Sequence, residues 1–462
     1  MEARNPNTLA LASFVTKTRA QDLPREVSHN ARRAVLDATG CALGGISTPL
    51  FEAVVASIRA QGGDRGVPLV GGALWATPAL AALADAVAIN ALDFDDTYED
   101  GTNPISHPGS STIGALLAML PTRPDLTLGD AVAAAAVGYE ATIRVARAVQ
   151  PEQERRDHVW GLGPHQVFGS AAVSARLLRL DLEQTLQCLG LAGVHTSVPS
   201  VWTASGWLKD AVGWPTMTGV LAGHLAANGF AGPRRILDGR RSYYATVASD
   251  RYRPDELTDG LGERWHLLDL SFKPYPACRW IHPVLDALTA MSSRLGQLEA
   301  DEIEGVEVAG FWELEKLFLR YRPADLIDAQ FSLPYTCAQV LLRTPPGPEW
   351  FTADRLEDEA ALRLASRVTV STDPAVEAAR REDPSALQAR VTLKLRDGRV
   401  LDDECAIAHG HPSDPLSDAE LVAKFRVLAE PSLGSEASTR FAEAVLGDPS
   451  DTPAAAVFAG IL

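Results

Sequence analysis

The segment Asp93-Phe94-Asp95-Asp96-Thr97, followed by Ser106-His107-Pro108-Gly109-Ser110-Ser111, sets a cluster of carboxylates near one imidazole. A histidine inside a Pro/Gly/Ser turn can move a proton, and Asp93 is the candidate partner that orients His107. The competing reading is a solvated acidic helix end with an ordinary loop histidine, because charge runs usually face water. Three aspartates and a lone histidine at this spacing match no metal-ligand signature. Trp207-Leu208-Lys209-Asp210 lies among glycine, alanine and serine. Small neighbours leave room for Lys209 to clamp an anion, although a surface lysine is the commoner case.

Lys273-Pro274-Tyr275-Pro276-Ala277-Cys278-Arg279-Trp280-Ile281-His282-Pro283 combines prolines, cations and a histidine in one stiff loop. Preorganised cations suit carboxylate recognition, which makes Lys273, Arg279 and His282 candidates. A proline-stiffened hinge is compatible with the same residues. In Phe331-Ser332-Leu333-Pro334-Tyr335, Tyr335 could donate a proton or a hydrogen bond, or sit in the core with its hydroxyl satisfied. GxSxG, GK[ST] and strand-borne GxGxxG patterns are missing. The residues point to an acid–base pocket for an anion, with no nucleotide cofactor.

The elements that must carry these groups change character along the chain. Up to about residue 265 alanine and leucine recur at helical spacing, with few period-two strands. An apolar helix covers Ala81 to Leu92, directly ahead of Asp93. Thr127-Leu128-Gly129-Asp130 reads as a capping box opening a helix to about Val149. Ser170 to Leu180 and Thr216 to Asn228 continue the helical habit. After Leu270, Ile303 to Val308 and Arg367 to Val370 read as short strands, with helices near Pro283 to Leu295 and Phe331 to Leu342. Ala389 to Leu395, then Asp397-Gly398, then a run from Arg399 spell a β-hairpin. Ser417-Asp418-Ala419-Glu420 is a second capping box, after which helix resumes. The order is helix-rich, α+β, helix-rich, and the last helices are expected to rejoin the first part.

The 462 residues are too many for one simple core, so two domains are expected. A formal charge of −17 argues against nucleic acid or an anionic membrane as partner, and any anionic substrate needs a locally positive pocket. No stretch approaches the roughly 20 apolar residues that span a bilayer, and the first 20 residues carry no secretory pattern. Cys41, Cys188, Cys278, Cys337 and Cys405 are scattered, without a CxxC pair. Reduced, buried thiols in a cytoplasmic protein are the expectation.

Taken together and in order, these blocks resemble the MmgE/PrpD family. Ala91-Leu92-Asp93-Phe94-Asp95-Asp96-Thr97 with His107-Pro108 is similar to its "ALDFDDT…HP" signature. Lys273 to Cys278 with His282-Pro283 resembles "KPYPxC…HP", and Phe331 to Tyr335 resembles "FSLPY". The resemblance implies a mainly α fold: an all-helical domain from residues 1–268 and 406–462, and a smaller α+β lid domain over 269–405. It also implies a homodimer without metal or organic cofactor and a small polycarboxylate substrate. Asp93, Thr97, His107, Lys209, Lys273 and Tyr335 fall on positions lining the family's active site. Relatives carry a histidine in a "G-[FW]-H-x-T" block, where this chain reads Trp160 to Ser170. Either His165 takes that role from a shifted position or the role is absent.

The implied activity is a lyase, a dehydratase or decarboxylase of a di- or tricarboxylate. Lys209 and Lys273 would stabilise charge developing beside a carboxylate, His107 would transfer the proton, and Tyr335 would serve the leaving group or a carboxylate. An epimerase shares the first step but needs a second acid–base group, His165 or Tyr335. A catalytically inactive binding relative is the third reading. Substrate discrimination is expected in loops such as Gln150 to Gly163.

Overall fold

The computed structural model describes residues 6–100, 103–150, 163–195, 207–239, 242, 251–295, 298–383, 385–447 and 450–462. The fold is mainly α, with small sheets. The first part contains α1 (Pro6–Lys17), α2 (Arg25–Gly45), α3 (Pro49–Ala60), α4 (Pro78–Asn90), α5 (Pro108–Met119), α6 (Leu128–Val149), α7 (Gly163–Leu177), α8 (Leu182–Val194) and α9 (Trp207–Ala227). The Thr127 box forms: its hydroxyl accepts from the Asp130 amide at 3.1 Å, and Asp130 Oδ2 accepts from the Thr127 amide at 3.1 Å. Every residue of α5 is buried, the mark of a helix apolar on all sides and placed at the centre of a bundle. Around it α4, α6, α7 and α9 pack closely. Where α2 meets α4, a Cβ on Gly45 would lie 1.9 Å from the Ala88 carbonyl oxygen, so only glycine permits that approach.

A two-stranded ribbon joins β1 (Val67–Pro68) to β2 (Trp75–Ala76). The next sheet decides the site. β3 (Thr97–Asp100) pairs antiparallel with β4 (Asn103–Ser106), and on its other edge with β5 (Leu270–Ser271). Thr97 lies opposite both Ser106 and Ser271. One strand residue therefore brings the Asp93 turn, the approach to His107 and the approach to Lys273 side by side. The sequence reading took this region as an acidic helix end and a turn; it is a hairpin. Four-residue strands without alternating apolar residues leave no period-two signal, and pairing with β5 supplies what the local sequence does not.

The later part builds a sheet of order β7-β6-β8-β9 from β6 (Ile303–Gly310), β7 (Val368–Thr372), β8 (Ala389–Leu395) and β9 (Val400–Cys405). β6 runs parallel to β7 and antiparallel to β8. The β8–β9 hairpin turns at Asp397-Gly398, with Gly398 at φ 90°, as its dipeptide predicts. Helix α10 (His282–Ser293) packs on β8 and β9 and against α11 (Leu333–Leu341), which in turn meets α12 (Glu359–Ala365). Then α13 (Asp418–Leu433), opened by the Ser417/Glu420 box, returns to α2, as does α14 (Ser435–Leu446). Phe425 seats on Gly40 and Leu428 on Gly44. None of the five cysteines forms a disulfide; Cys41, Cys188 and Cys337 are buried, while Cys278 and Cys405 are only half-buried, less than expected. Among the described residues no single helix is long and apolar enough to cross a membrane.

Candidate active site

Helix α4 starts at the Thr77 cap and ends at Asn90, and the chain then turns sharply, with Asp93 in the left-handed region at φ 51°. His107 is left-handed too (φ 61°) and precedes Pro108, which opens α5. Left-handed backbone at a residue other than glycine is uncommon and costs energy. Both positions are held by neighbours. The Asp93 amide donates to the Asn90 carbonyl at 3.0 Å, and the Gln330 side chain donates to the Ala91 carbonyl at 2.8 Å. The His107 carbonyl accepts from Ser110 Oγ at 2.8 Å and from Gln166 Nε2 at 3.0 Å.

Asp93, His107 and Lys273 meet in the interior, with exposures of only 1%, 5% and 1%. Lys273 Nζ donates to the Asp93 carbonyl at 2.9 Å and to Asp93 Oδ2 at 3.0 Å. Asp93 Oδ1 lies 3.4 Å from His107 Nε2, and Asp95 Oδ1 lies 3.1 Å from His107 Nδ1. Asn90 Nδ2 donates to Asp95 at 3.0 and 3.3 Å. Neutral imidazole offers one donor and one acceptor, whereas an imidazolium offers two donors. Each ring nitrogen lies within ion-pair distance of a carboxylate oxygen, a setting in which a histidine can carry and pass a proton.

Behind this group lie two further buried side chains, Asp96 and Tyr139. Asp96 accepts from the Gly109 amide at 3.0 Å and from the Tyr139 hydroxyl. A Cβ on Gly109 would fall 2.4 Å from both Asp96 Oδ2 and the Tyr139 hydroxyl, so the start of α5 must be glycine there. Burial, against the Tyr139 hydrogen bond, raises the Asp96 carboxyl from 3.8 to about 8. Its folded value thus lies above its unfolded one, and the folded state binds the extra proton between them. The stability it contributes is complete below 3.8 and is lost as pH climbs to about 8. Asp96→Asn, which keeps an acceptor for the Gly109 amide and removes the titrating carboxyl, should lose less stability than the parent between about pH 5 and about pH 8. Urea unfolding midpoints at the two pH values check this; equal losses in both proteins would refute it.

Lys424 of α13 reaches Asp37 of α2 at 2.6 Å and the Phe94 carbonyl at 2.6 Å. Burial alone would lower the Lys424 ammonium, but the effect of the facing carboxylates, led by Asp37, leaves it raised. The side chains of Asp37, Asp93 and Asp95 thus face the ammoniums of Lys273 and Lys424 and the His107 ring. Uncompensated buried charge is costly, so acids and bases buried this deeply are found together.

The remaining candidates are placed as follows. Thr97 is buried and donates from Oγ1 to Glu99 at 3.4 Å. Arg279 is taken up by Glu99 at 3.2 Å and by the carbonyls of His409 at 2.8 Å and Ala408 at 3.1 Å, which ties the Lys273 loop to the segment before α13. His282 Nε2 faces the Ala277 carbonyl at 3.1 Å and Nδ1 faces Arg279 at 3.3 Å. Burial first, then the cations Arg279 and Lys273, push His282 well below its ordinary value and keep it neutral. His165 lies wholly buried in α7, beside Gln166, and burial pushes it down to about 3. Tyr335 opens α11, and its hydroxyl donates to the Trp350 carbonyl at 2.5 Å. Lys209 falls in the first turn of α9; its side chain, like most of the Gln150 to Gly163 loop, lies outside the described residues. Among the described residues no group of three or more His, Cys, Asp or Glu side chains is arranged to hold a metal ion.

Sequence reasoning passed over Asn90, Asp37, Tyr139 and Gln330, quoted Asp95 and Asp96 without assigning them roles, and took Lys424-Phe425 only as part of a family-like C-terminal region. A signal existed for Asp37, the one charged residue in the run Ala34 to Ala42. For Lys424 and Gln330 only the three-dimensional fold supplies one.

Two family models match this helical bundle and the part that follows it. The N-terminal MmgE/PrpD domain matches residues 9–254 and the C-terminal MmgE/PrpD domain residues 275–448. The chain belongs to the MmgE/PrpD family. Its curated relatives include the cis-aconitate decarboxylase-like protein oryM of Aspergillus oryzae, 24% identical over 95% of this chain and 94% of that protein. Cis-aconitate decarboxylase of Mus musculus is 26% identical over 92% of this chain and 87% of its own length. Cis-aconitate decarboxylase of Aspergillus terreus is 25% identical over 92% and 90%. These relatives support a lyase-type function on a tricarboxylate.

Proposed function

We propose that the protein is a cofactor-independent decarboxylase of a small tricarboxylate, with cis-aconitate as the first candidate. The observation that carries this is the buried His107 ring between two carboxylates, next to the Lys273 ammonium. A histidine in this setting can deliver a proton. Decarboxylation needs an acid: the bond to the departing carboxylate breaks and its electron pair forms a new C=C. The former C=C pair then settles on the carbon beside a remaining carboxylate. That carbon takes one proton from His107, and CO₂ leaves. Charge grows on a group already anionic, so a fixed ammonium lowers the barrier there. Lys273 supplies it, and Lys209 is assigned to the same clamp.

Dehydration would begin with proton abstraction instead, whereas the relatives that favour decarboxylation are named cis-aconitate decarboxylases. Epimerisation would need a second acid–base group on the opposite face. Tyr335 has its hydroxyl bonded to a backbone carbonyl, and burial raises its ionisation further. The same reading takes residues 269–405 as an α+β unit set into an all-helical one formed by 1–268 and 406–462. Its support is the pairing of Asp37, near the start of the chain, with Lys424, near the end.

A panel of di- and tricarboxylates, including cis-aconitate, citrate and methylcitrate, tests the reading by CO₂ release and product NMR. CO₂ with a methylene-bearing dicarboxylate from cis-aconitate is expected. Water loss from a hydroxy acid without CO₂ would overturn it.

A further inference from the structure

The loop that carries Asp93 and Asp95 is fastened from a distance. Lys424 lies 330 residues beyond Phe94 in sequence, yet its Nζ donates to the Phe94 carbonyl at 2.6 Å. The same nitrogen sits 4.1 Å from the centre of the Phe94 ring and 2.6 Å from Asp37 Oδ1. Phe94 stands between the two aspartates whose carboxylates hold His107. Fixing its carbonyl and its ring fixes the peptide planes on either side, and with them the directions of Asp93 and Asp95. Asp93 is left-handed, so the turn is strained and needs its surroundings to hold it. A lysine is an expensive way to fill buried space, because a buried ion pair is often no more stabilising than apolar residues of the same volume. Packing alone does not account for a lysine and an aspartate here.

We infer that Lys424 and Asp37 are positioning residues that hold the Asp93–Asp95 turn, and through it His107, in the geometry for proton delivery. Lys424 acts through Phe94 and Asp37 through Lys424; neither touches the substrate. The inference rests on the reading of His107 as the proton donor and adds to it the residues that aim the donor.

The test is a pair of double variants read against turnover and unfolding. Asp37→Leu/Lys424→Met replaces the ion pair by apolar volume and removes the donor to Phe94. If the pair only packs, this variant keeps both its unfolding midpoint and its kcat. The inference predicts a folded protein whose kcat on cis-aconitate falls by at least about tenfold, with KM within about threefold, because aiming the acid affects the reacting state more than binding. Asp37→Asn/Lys424→Gln keeps an N–H for the Phe94 carbonyl and should recover most of that loss. Unchanged kcat in the folded Leu/Met variant, or an equal loss in both variants, would overturn the inference. If the Leu/Met variant does not fold, Asp37→Asn/Lys424→Met decides, its missing donor to the Phe94 carbonyl predicting a lowered kcat at constant KM and an unchanged kcat refuting the idea. Should the parent turn over none of the carboxylates, the proposed function fails. The tether is then read from the ¹⁵N signals of the His107 ring, which it predicts will move in the Leu/Met variant and stay in place if it is wrong.

Discussion

His107→Asn should fold like the parent and lose about 10²–10⁴-fold in kcat on cis-aconitate, the range for removing a positioned proton donor. Asparagine is the informative replacement because His107 is left-handed, with φ 61°. Asparagine tolerates that conformation better than alanine, so backbone strain does not cloud the result. The side-chain amide can still donate to one of the flanking carboxylates, 3.1 and 3.4 Å from the imidazole nitrogens, but it has no proton to give a carbanion. Substrate binding should change little, so the loss should appear in kcat and kcat/KM together. Steady-state kinetics with folding followed by circular dichroism measures it. A folded variant with kcat within about tenfold of the parent would remove His107 from the mechanism.

Lys273→Met should harm both activity and stability. The ammonium is 1% exposed and is the hydrogen-bond donor to both the Asp93 carbonyl and its carboxylate. Methionine fills much of the volume but leaves the Asp93 carboxylate buried with its ammonium gone. Breaking one side of a buried pair typically costs about 3–5 kcal/mol. Asp93→Asn in the same chain neutralises the orphaned carboxylate and should restore part of the stability. It should restore none of the turnover, because the cation beside the developing charge is still missing. Urea unfolding separates the two effects from the kinetics. Recovery of turnover in the double variant would show that Lys273 serves the fold alone.

The Thr127 and Ser417 capping boxes and the Asp397-Gly398 turn were readable because each is written in consecutive residues. The hairpin that makes the site was not. Thr97–Asp100 has no strand periodicity of its own and becomes a strand by pairing with Ser271, more than 170 positions later. His107, Asp93 and Lys273 were legible as residue types that could do acid–base and anion chemistry, and the fold brings these three together. Arg279 was equally eligible by type. In the structure Glu99 and two backbone carbonyls occupy its donors, a choice set by neighbours from distant parts of the chain. Tyr335 likewise spends its proton on the Trp350 carbonyl. Lys424 is the reverse case, an unremarkable lysine in a C-terminal helix that ends beside Phe94 through the packing of α13 on α2.

The most direct test of the His107 acid and its lysine partner is turnover of cis-aconitate in D₂O followed by NMR. The account predicts CO₂ and a product carrying a single deuterium, on the carbon beside a carboxylate, with no deuterium in recovered substrate. Deuterium appearing in recovered substrate without CO₂ would contradict it.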